Sequence, residues 1–291
     1  MAYLKKLYSR TGIKMFYNIE IESVYLNKTI KIEIPKESKT IGILLSGGAD
    51  SAILLYILCD YIKKNNLDIK VLPITSCVIA KPIMIEGTFR VTNKVRELFN
   101  YDIPFLLDNF LYYRGRKVFE FDINVYVKLF QEGVIDCLMG AGTTFASEEE
   151  LKRHNMWDDR PEYRALDFVP SEYENLIPGN EKYKIYKPFL RYDKKLIAEL
   201  YDMFNVRDTL FPATKSCIAG FSESRGWSTP CKRCWWCKER FWAFGQYDSE
   251  RRTYLENIAN KVYSWDPPLP PDNSNEAMLK WRLDNIKQNT K

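Results

Sequence analysis

Histidine is nearly absent from this chain: His154 stands alone among 291 residues. Metal centres with several imidazole ligands are therefore excluded. A histidine-dependent triad is not expected, because His154 sits in a helical pattern between Arg153 and Asn155 with no partner evident. Long apolar runs are missing too, and nothing approaches the ~18 residues of a membrane span. Met1-Ala2-Tyr3-Leu4-Lys5-Lys6 lacks the apolar core and cleavage pattern of a secretory signal, which makes the cytoplasm the expected location. There is no internal repeat, and no Gly-Lys-Ser/Thr of the Walker type. Charge of either sign is scarcely in excess, with 43 Lys and Arg against 38 Asp and Glu, net +5. Such a balance suits an anionic ligand without demanding nucleic acid. What remains, 46% hydrophobic and 28% charged residues, is ordinary for a globular protein and enough for one large α/β domain with attachments.

The densest signal lies at Ile41-Gly42-Ile43-Leu44-Leu45-Ser46-Gly47-Gly48-Ala49-Asp50-Ser51. A short apolar run reads as a buried parallel strand. It stops in a small polar turn, and the pattern Ala52, Ile53, Leu54, Leu55, Ile57, Leu58 then reads as a helix. Gly47 and Gly48 allow positive φ and close approach of a ligand to the main chain. Ser46, Ser51 and the N–H groups at the helix start are donors for phosphate oxygens, favoured by the helix dipole. Asp50 is the exception, since a carboxylate repels phosphate. It would cap the helix, hold the loop in shape or help to hold Mg²⁺.

Around this turn runs an α/β rhythm. A β-hairpin is expected from Tyr17 to Ile34, turning at Asn27-Lys28 and lying on the edge of the core. Strands are then expected at 41–45, 69–75, 103–107 and 135–139. Helices are expected at 50–65, 88–99 and 121–132. Alternation of this kind implies a parallel sheet with right-handed crossovers. Ligands in such sheets sit beyond the carboxyl ends of the strands, so Ser46–Ser51, Ile74-Thr75-Ser76 and Gly140–Thr144 should border one crevice. Ser147 opens a helix as a capping box with Glu150. Residues 155–180 read as a long polar loop, 184–189 as a last strand, and Asp193 as the cap of a helix over 194–204. Pro267-Pro268-Leu269-Pro270-Pro271 reads as a stiff connector between two polar helices.

Cys217, Cys231, Cys234 and Cys237 form C-x13-C-x2-C-x2-C. Clustered cysteines in a cytosolic chain favour a metal over disulfides. Four thiolates suit Zn²⁺ in a closed, structural site, worth on the order of 10 kcal/mol of folding free energy. An iron–sulfur cluster takes the same ligands, and redox chemistry by Cys234 and Cys237 is a third reading. Trp235, Trp236, Phe241, Trp242 and Phe244 read as core around the metal, although Lys232, Arg233, Lys238 and Arg240 keep a nucleic-acid surface open. Cys59, Cys77 and Cys137 read as buried, inert thiols.

Ser46-Gly47-Gly48-Ala49-Asp50-Ser51 resembles the signature of the PP-loop, or N-type ATP pyrophosphatase, superfamily. The resemblance implies a Rossmann-like fold of the adenine nucleotide alpha hydrolase type. It also implies a loop that grips the pyrophosphate of ATP, which is split to AMP and pyrophosphate. Combined with the four cysteines, and with Lys187-Pro188-Phe189 through Asp193-Lys194, the pattern is similar to 7-cyano-7-deazaguanine synthases. Those enzymes make a nitrile precursor of queuosine-type deazapurines from a carboxylate, ammonia and ATP. The chain departs from them at Ala80-Lys81-Pro82-Ile83-Met84, where the family carries Tyr-Gly-Gln-x-His. It departs again at Gly142-Thr143-Thr144-Phe145-Ala146-Ser147, in place of Asp-Tyr-Ser-Gly-Tyr-Pro-Asp-Cys.

The resemblance implies catalytic roles for Ser46, Asp50, Ser51 and Lys194. Nucleotide contacts fall to Ser46, Gly47, Gly48, Ala49, Asp50, Ser51, Ile74, Thr75, Ser76 and Gly140. Zinc ligands would be Cys217, Cys231, Cys234 and Cys237, and the cofactors ATP, Mg²⁺ and Zn²⁺. Lys215 is a further candidate for stabilising charge, and Arg90, Arg114 and Arg116 for gripping a carboxylate. Four units are expected: a hairpin extension over 1–39, the ATP-binding domain over 40–210, a zinc element over 211–248 and a helical tail over 249–291. The expected activity is a C–N ligase joining a small carboxylate to ammonia or another nitrogen donor. A homodimer is compatible with this reading, nucleic acid is the less favoured partner, and no membrane is involved. The alternatives are a PP-loop enzyme that thiolates or aminates a tRNA base, and a non-catalytic, zinc-stapled nucleotide-binding protein.

Overall fold

A computed structural model describes residues 15–78, 83–107, 111–115, 118–144, 146–158, 172–177, 179–218 and 229–249. The proline-rich segment and the tail beyond 249 lie outside the described residues, as do Lys81 and Pro82. The elements follow in the order β1 (Phe16–Ser23), β2 (Lys28–Pro35), β3 (Thr40–Leu44), α1 (Ala49–Lys64), β4 (Lys70–Val78) and α2 (Ile83–Leu98). Next come β5 (Leu111–Gly115), α3 (Val118–Gln131), β6 (Cys137–Gly140), α4 (Glu148–Arg153), β7 (Tyr173–Ile177), β8 (Asn180–Tyr186), α5 (Lys194–Met203) and α6 (Trp235–Phe244).

Six strands form one sheet in the order β5-β4-β3-β6-β8-β7, parallel except for the β7–β8 pair. The chain begins this sheet at its centre with β3, builds outward through β4 and β5, then returns to the other side of β3 with β6 and β8. The reversal lies between β3 and β6, which pair directly, Ile41 with Cys137 and Leu44 with Gly140. Period-2 alternation sends neighbouring side chains to opposite faces. Ile41, Ile43, Val71, Cys137 and Met139 join one buried cluster with α1, α2 residues Val91 and Val95, and α5. Leu72, Ile74, Leu138 and Ile185 face the other way, onto Val125, Tyr126, Val127 and Leu129 of α3. The result is a sheet covered on both faces by helices, the doubly wound α/β class.

Helix α1 is enclosed on most sides, with ten buried residues from Ala49 to Ile62. Lys63 and Lys64 stand at its negative end. Asn66, at φ 49°, turns the chain out of the helix.

The hairpin is present, forms its own two-stranded sheet, and packs on the core, its isoleucines 19, 21, 30, 32 and 34 belonging to the same cluster as β3 and α1. Two other expectations need correction. Residues 103–107 contribute only a single parallel bridge, Leu106 to Val71, and the paired strand is Leu111–Gly115. Ile103 and Leu106 are buried, so their apolar pattern is that of a packed turn, indistinguishable by period from a short strand. Finally, the end of the expected polar loop is strand β7, which closes the sheet as an antiparallel edge beside β8.

The hairpin tip is tied to α5 by one carboxylate. Glu199 accepts from the Ser23 hydroxyl at 2.5 Å, the Val24 N–H at 2.7 Å and the Tyr25 N–H at 2.9 Å. At the other end, the Tyr186 hydroxyl donates to the Lys31 carbonyl and the Tyr173 hydroxyl to Glu33. Replacing Glu199 by Ala leaves three donors without their acceptor. We expect a loss of about 1–3 kcal/mol in urea unfolding, with faster hydrogen exchange at the amides of Val24 and Tyr25.

Candidate functional site

The Ser46–Ser51 turn lies where the fold reverses direction, at the carboxyl end of the central strand. This is the place where open α/β sheets leave a crevice. Leu44 is in register with Ile74 on one side and Gly140 on the other, so the three expected segments do meet along one edge of the sheet.

The turn is held by its own main chain and by two threonines. The Leu45 carbonyl accepts from the hydroxyls of Thr75 and Thr88, each at 3.0 Å, and the two hydroxyls lie 3.2 Å apart. The Ser46 hydroxyl accepts from the Gly48 N–H at 3.3 Å and lies 3.2 Å from the Ser51 hydroxyl. The Ser51 oxygen in turn accepts from the Ser46 N–H and donates to the Gly48 carbonyl. Gly47 adopts φ +75°, and a Cβ there would stand 2.6 Å from the carbonyl carbon of Gly87. Two main chains, the turn and the first half of α2, are thus in contact where any side chain would separate them. The Gly47 carbonyl accepts from the Lys215 N–H at 2.7 Å. Helix α1 starts at Gly48 with no side-chain cap, so its N-terminal dipole and amides face the mouth of the turn.

Asp50 stands in the first turn of α1. One of its carboxylate oxygens receives the Lys194 ammonium at 2.6 Å. The other, Oδ1, is buried without a hydrogen-bond partner among the described residues. Lys194 itself is 8% exposed, and the Glu239 carboxylate lies 3.8 Å from it. One ammonium shared by two carboxylates leaves a net negative charge, and an acceptor left over on Asp50 is the kind of oxygen a hard cation takes. Tyr201, fully buried, donates to the Ala49 carbonyl at 2.9 Å, and burial pushes its phenol well above the usual range.

Other expected residues have structural partners. Ile74 packs against Gly42 at the sheet centre, where a Cβ would lie 2.8 Å from its Cδ1. Gly140 leaves room for Ile185, 3.1 Å from where its Cβ would be. The side chain of Ser76 lies outside the described residues, as do that of Arg114 and the whole of Arg116. Arg90, expected to grip a carboxylate, is turned to the Pro212 carbonyl at 2.9 Å and to Glu86. His154 was expected to lack a partner. It closes α4, with Nε2 3.5 Å from Glu150 and its ring against Trp242.

The four cysteines converge. Their sulfurs all lie within 4.8 Å of one another, and Cys231 and Cys237 are 4.0 Å apart. A tetrahedron with metal–sulfur bonds of ~2.3 Å has edges of about 3.8 Å, so the set fits a closed tetrahedral ion with little movement. Amides point at sulfur as well: Cys231 N–H at Cys217 Sγ and Cys234 N–H at Cys231 Sγ, both 3.3 Å. The Cys231–Cys234 turn needs positive φ at Lys232, 60°. Cys234 is the N-cap of α6. Hydrogen bonds from Cys217 and Cys237 hold its thiol far below the ordinary value, while hydrogen bonds with Cys217 first and Cys234 second push Cys237 up. Four thiolates this close repel one another unless a cation lies among them. Cys59 and Cys137 are buried elsewhere, and burial raises the Cys59 thiol.

Several important residues gave no sequence signal that was read. Gly87 interrupts a helix, and a glycine in a helix interior is a mark of close approach. Glu239 and Asp248 stand in an aromatic, charged stretch with no period to single them out. Arg240, read as part of a possible nucleic-acid surface, is instead 1% exposed, because its guanidinium is bonded to the interior.

No family model matches the sequence, and no curated protein matches it. Among solved structures, the chain is similar to the U34-tRNA thiolase NcsA from Methanococcus maripaludis, a structure containing its 4Fe-4S cluster. The identity is 13%, the match covers 82% of this chain and 80% of that one, and the TM-score is 0.37. It is also similar to NAD+ synthetase from Burkholderia pseudomallei, at 10% identity over 87% of this chain and 82% of that one, with a TM-score of 0.34. At this level neither decides anything about chemistry, and the fold stands on the strand order and packing above.

Two outcomes follow from this geometry. Gly47→Ala would force a Cβ into the Gly87 main chain at positive φ. We expect about 2–4 kcal/mol of destabilisation or a displaced turn, read by urea denaturation and by hydrogen exchange at the turn's amides. Glu150, bonded first by Lys195 and then by the Trp242 indole, has its carboxyl lowered from 4.5 to about 2. A depressed folded value means its contribution is complete above about pH 4.5 and lost as pH falls towards 2. The stability gap between wild type and Glu150→Gln should therefore be constant from pH 8 to 5 and close on acidification.

Proposed function

We propose that this protein is a PP-loop ATP pyrophosphatase: an enzyme that holds the phosphates of ATP on Ser46–Ser51, transfers AMP to a carboxylate or carbonyl oxygen, and lets a nitrogen nucleophile displace it. One observation carries the reading. A glycine-rich turn at an uncapped helix start, braced by the main chains of Gly87 and Lys215 and by the hydroxyls of Thr75 and Thr88, stands at the reversal point of a doubly wound sheet. The signature Ser-Gly-Gly-Ala-Asp-Ser at that position supports ATP over other phosphate ligands.

The chain's own groups suggest the division of labour. Amides of residues 47–51 and the Ser46 and Ser51 hydroxyls would bind the β- and γ-phosphates and stabilise the pyrophosphate as it leaves. Holding the substrate oxygen in line with the α-phosphorus converts a bimolecular attack into a positioned one. The P–O bond to pyrophosphate breaks as the new P–O bond forms, and AMP later departs with its electron pair as the C–N bond forms. Lys194 would exchange part of its contact with Asp50 for a phosphate oxygen. The free Asp50 Oδ1 fits Mg²⁺, which when bound would neutralise phosphate charge. Cys217, Cys231, Cys234 and Cys237 would hold Zn²⁺ as a structural ion, or a cluster in its place. We favour a small carboxylate as acceptor, as in deazapurine synthesis, with ammonia as the nitrogen donor.

A second reading has a specific observation behind it. Phe241, 47% exposed, stacks on Tyr247 at 4.7 Å, and the Lys232 ammonium lies over Tyr247. An exposed aromatic pair beside cations suits an unstacked RNA base. The acceptor would then be a tRNA base carbonyl, with sulfur or nitrogen as nucleophile.

Pyrophosphate release tests both. Wild-type protein with ATP and Mg²⁺ should release pyrophosphate in response to one member of a panel of carboxylates or to tRNA, and Ser46→Ala should lower that rate at least tenfold. If both proteins release the same background with every acceptor, the chain is a nucleotide-binding protein at most. An acceptor that is tRNA should also show binding that weakens steeply with salt.

A further inference from the structure

We propose that Arg240 and Asp248 are positioning residues that couple the cysteine site to the phosphate-binding turn, so that a cation at one tightens nucleotide binding at the other. The proposal rests on the reading of Ser46–Ser51 as a nucleotide site and of the four cysteines as a cation site.

The two sites share one short stretch of chain. Lys215 donates its N–H to the Gly47 carbonyl at 2.7 Å, and two residues later Cys217 enters the sulfur cluster. What fixes the stretch between them is Asp248. Its carboxylate accepts from the Ser216 N–H at 2.9 and 3.0 Å and from the Cys217 N–H at 2.8 Å. Asp248 is 7% exposed, so it needs a counter-charge, and Arg240 provides it with Nε at 3.2 Å.

Arg240 is 1% exposed, among the most deeply buried side chains in the protein. Its remaining nitrogens reach Thr214 Oγ1 at 2.8 Å, Ser216 Oγ at 3.3 Å and the Phe211 carbonyl at 3.2 Å, and its plane lies 3.8 Å from the centre of the Phe211 ring. Among the described residues, every polar contact of this guanidinium therefore goes to residues 211–216 or to the carboxylate that holds 216 and 217. Arg240 belongs to α6, three residues after Cys237 and one turn into the helix that Cys234 caps.

A second bridge runs in parallel from the same helix. Glu239 lies 3.8 Å from Lys194, which holds Asp50 of the turn at 2.6 Å. A cation that draws Cys217 towards Cys231, Cys234 and Cys237 locks α6 to the 214–217 strand of chain. That lock fixes the amide on Gly47 and the carboxylate behind Lys194. Coupling between two bound ligands is reciprocal: if the cation raises nucleotide affinity by some factor, nucleotide raises cation affinity by the same factor.

The test uses full-length zinc-loaded protein, and measures zinc transfer to a colorimetric chelator with and without a saturating non-hydrolysable ATP analogue. Affinity for the analogue is measured in parallel on loaded and chelator-stripped protein. We expect the analogue to slow zinc transfer about tenfold and to bind about tenfold more tightly to loaded protein. Asp248→Asn should retain zinc and analogue binding but abolish the effect of one on the other. If it does not fold, the wild-type transfer rates decide alone, because they need no variant and no stripped protein. Equal transfer rates with and without bound analogue overturn the coupling and leave the nucleotide site standing. Failure of loaded protein to bind the analogue at all overturns both.

Discussion

The contact between the main chains of Gly47 and Gly87 is the constraint on which the rest of the site depends. A glycine-rich turn has few side chains with which to hold itself, so much of its shape must come from what surrounds it. Here three neighbours supply that shape. Helix α2 presses its backbone against Gly47, Thr75 and Thr88 hold the Leu45 carbonyl, and Lys215 donates to the Gly47 carbonyl. The hydroxyl pair inside the turn, Ser46 and Ser51, completes the closure. Pre-organisation of this kind means that donors need not be reoriented when charge arrives, which is where an electrostatic site gains most.

The same constraint explains why the molecule is built as one piece around the turn. Residues that brace it come from β4, α2, the 211–217 stretch, α5 and α6, elements separated by more than a hundred positions in the chain. The buried charges follow the same geometry. Asp50, Lys194, Glu239, Arg240 and Asp248 form two short chains that run from the turn to the cysteine helix. Buried ions are costly unless each is matched. Among the described residues, every buried charged residue except Glu86 belongs to these chains, so they lie between the two candidate ligand sites.

The cysteine cluster plays the complementary part. Cys217 arrives from the stretch that touches the turn, whereas Cys231 lies just before α6, Cys234 caps it and Cys237 is in its first turn. An ion among them therefore joins two segments. The aromatic residues of α6, expected as core around the metal, mostly pack elsewhere: Trp235, with Trp236 and Trp242 against it, is buried with Ala146, Leu151 and Met156, while Phe244 stacks on Phe211 at 4.2 Å in the main core. The aromatic residue that does pack against the cysteines is Tyr247, with the exposed Phe241 stacked on it and the Lys232 ammonium over its ring.

Local pattern was enough to read the central strand, the turn, helix α1, the caps at Ser147 and Asp193, and the four cysteines as one ligand set. Each of these is encoded in adjacent residues: an apolar run, glycines at a bend, a side chain beside its own amide, or close-spaced thiols. Glu150 shows the limit of such reading. Ser147 does cap α4 by accepting the Glu150 N–H, as the pattern implied, but the Glu150 carboxylate turns away to Lys195 and Trp242. The strand at 111–115, the antiparallel β7 and the independent hairpin sheet depended on partners distant in sequence. So did the pairing of Lys194 with Asp50 and the clamp of Arg240 on Asp248. Sequence by itself determined the layered α/β class and the candidate chemistry, because periodicity and residue type act over a few neighbours. Tertiary structure alone decided which charges meet and how the turn is braced, because burial makes an ion's fate depend on whichever distant group is packed against it.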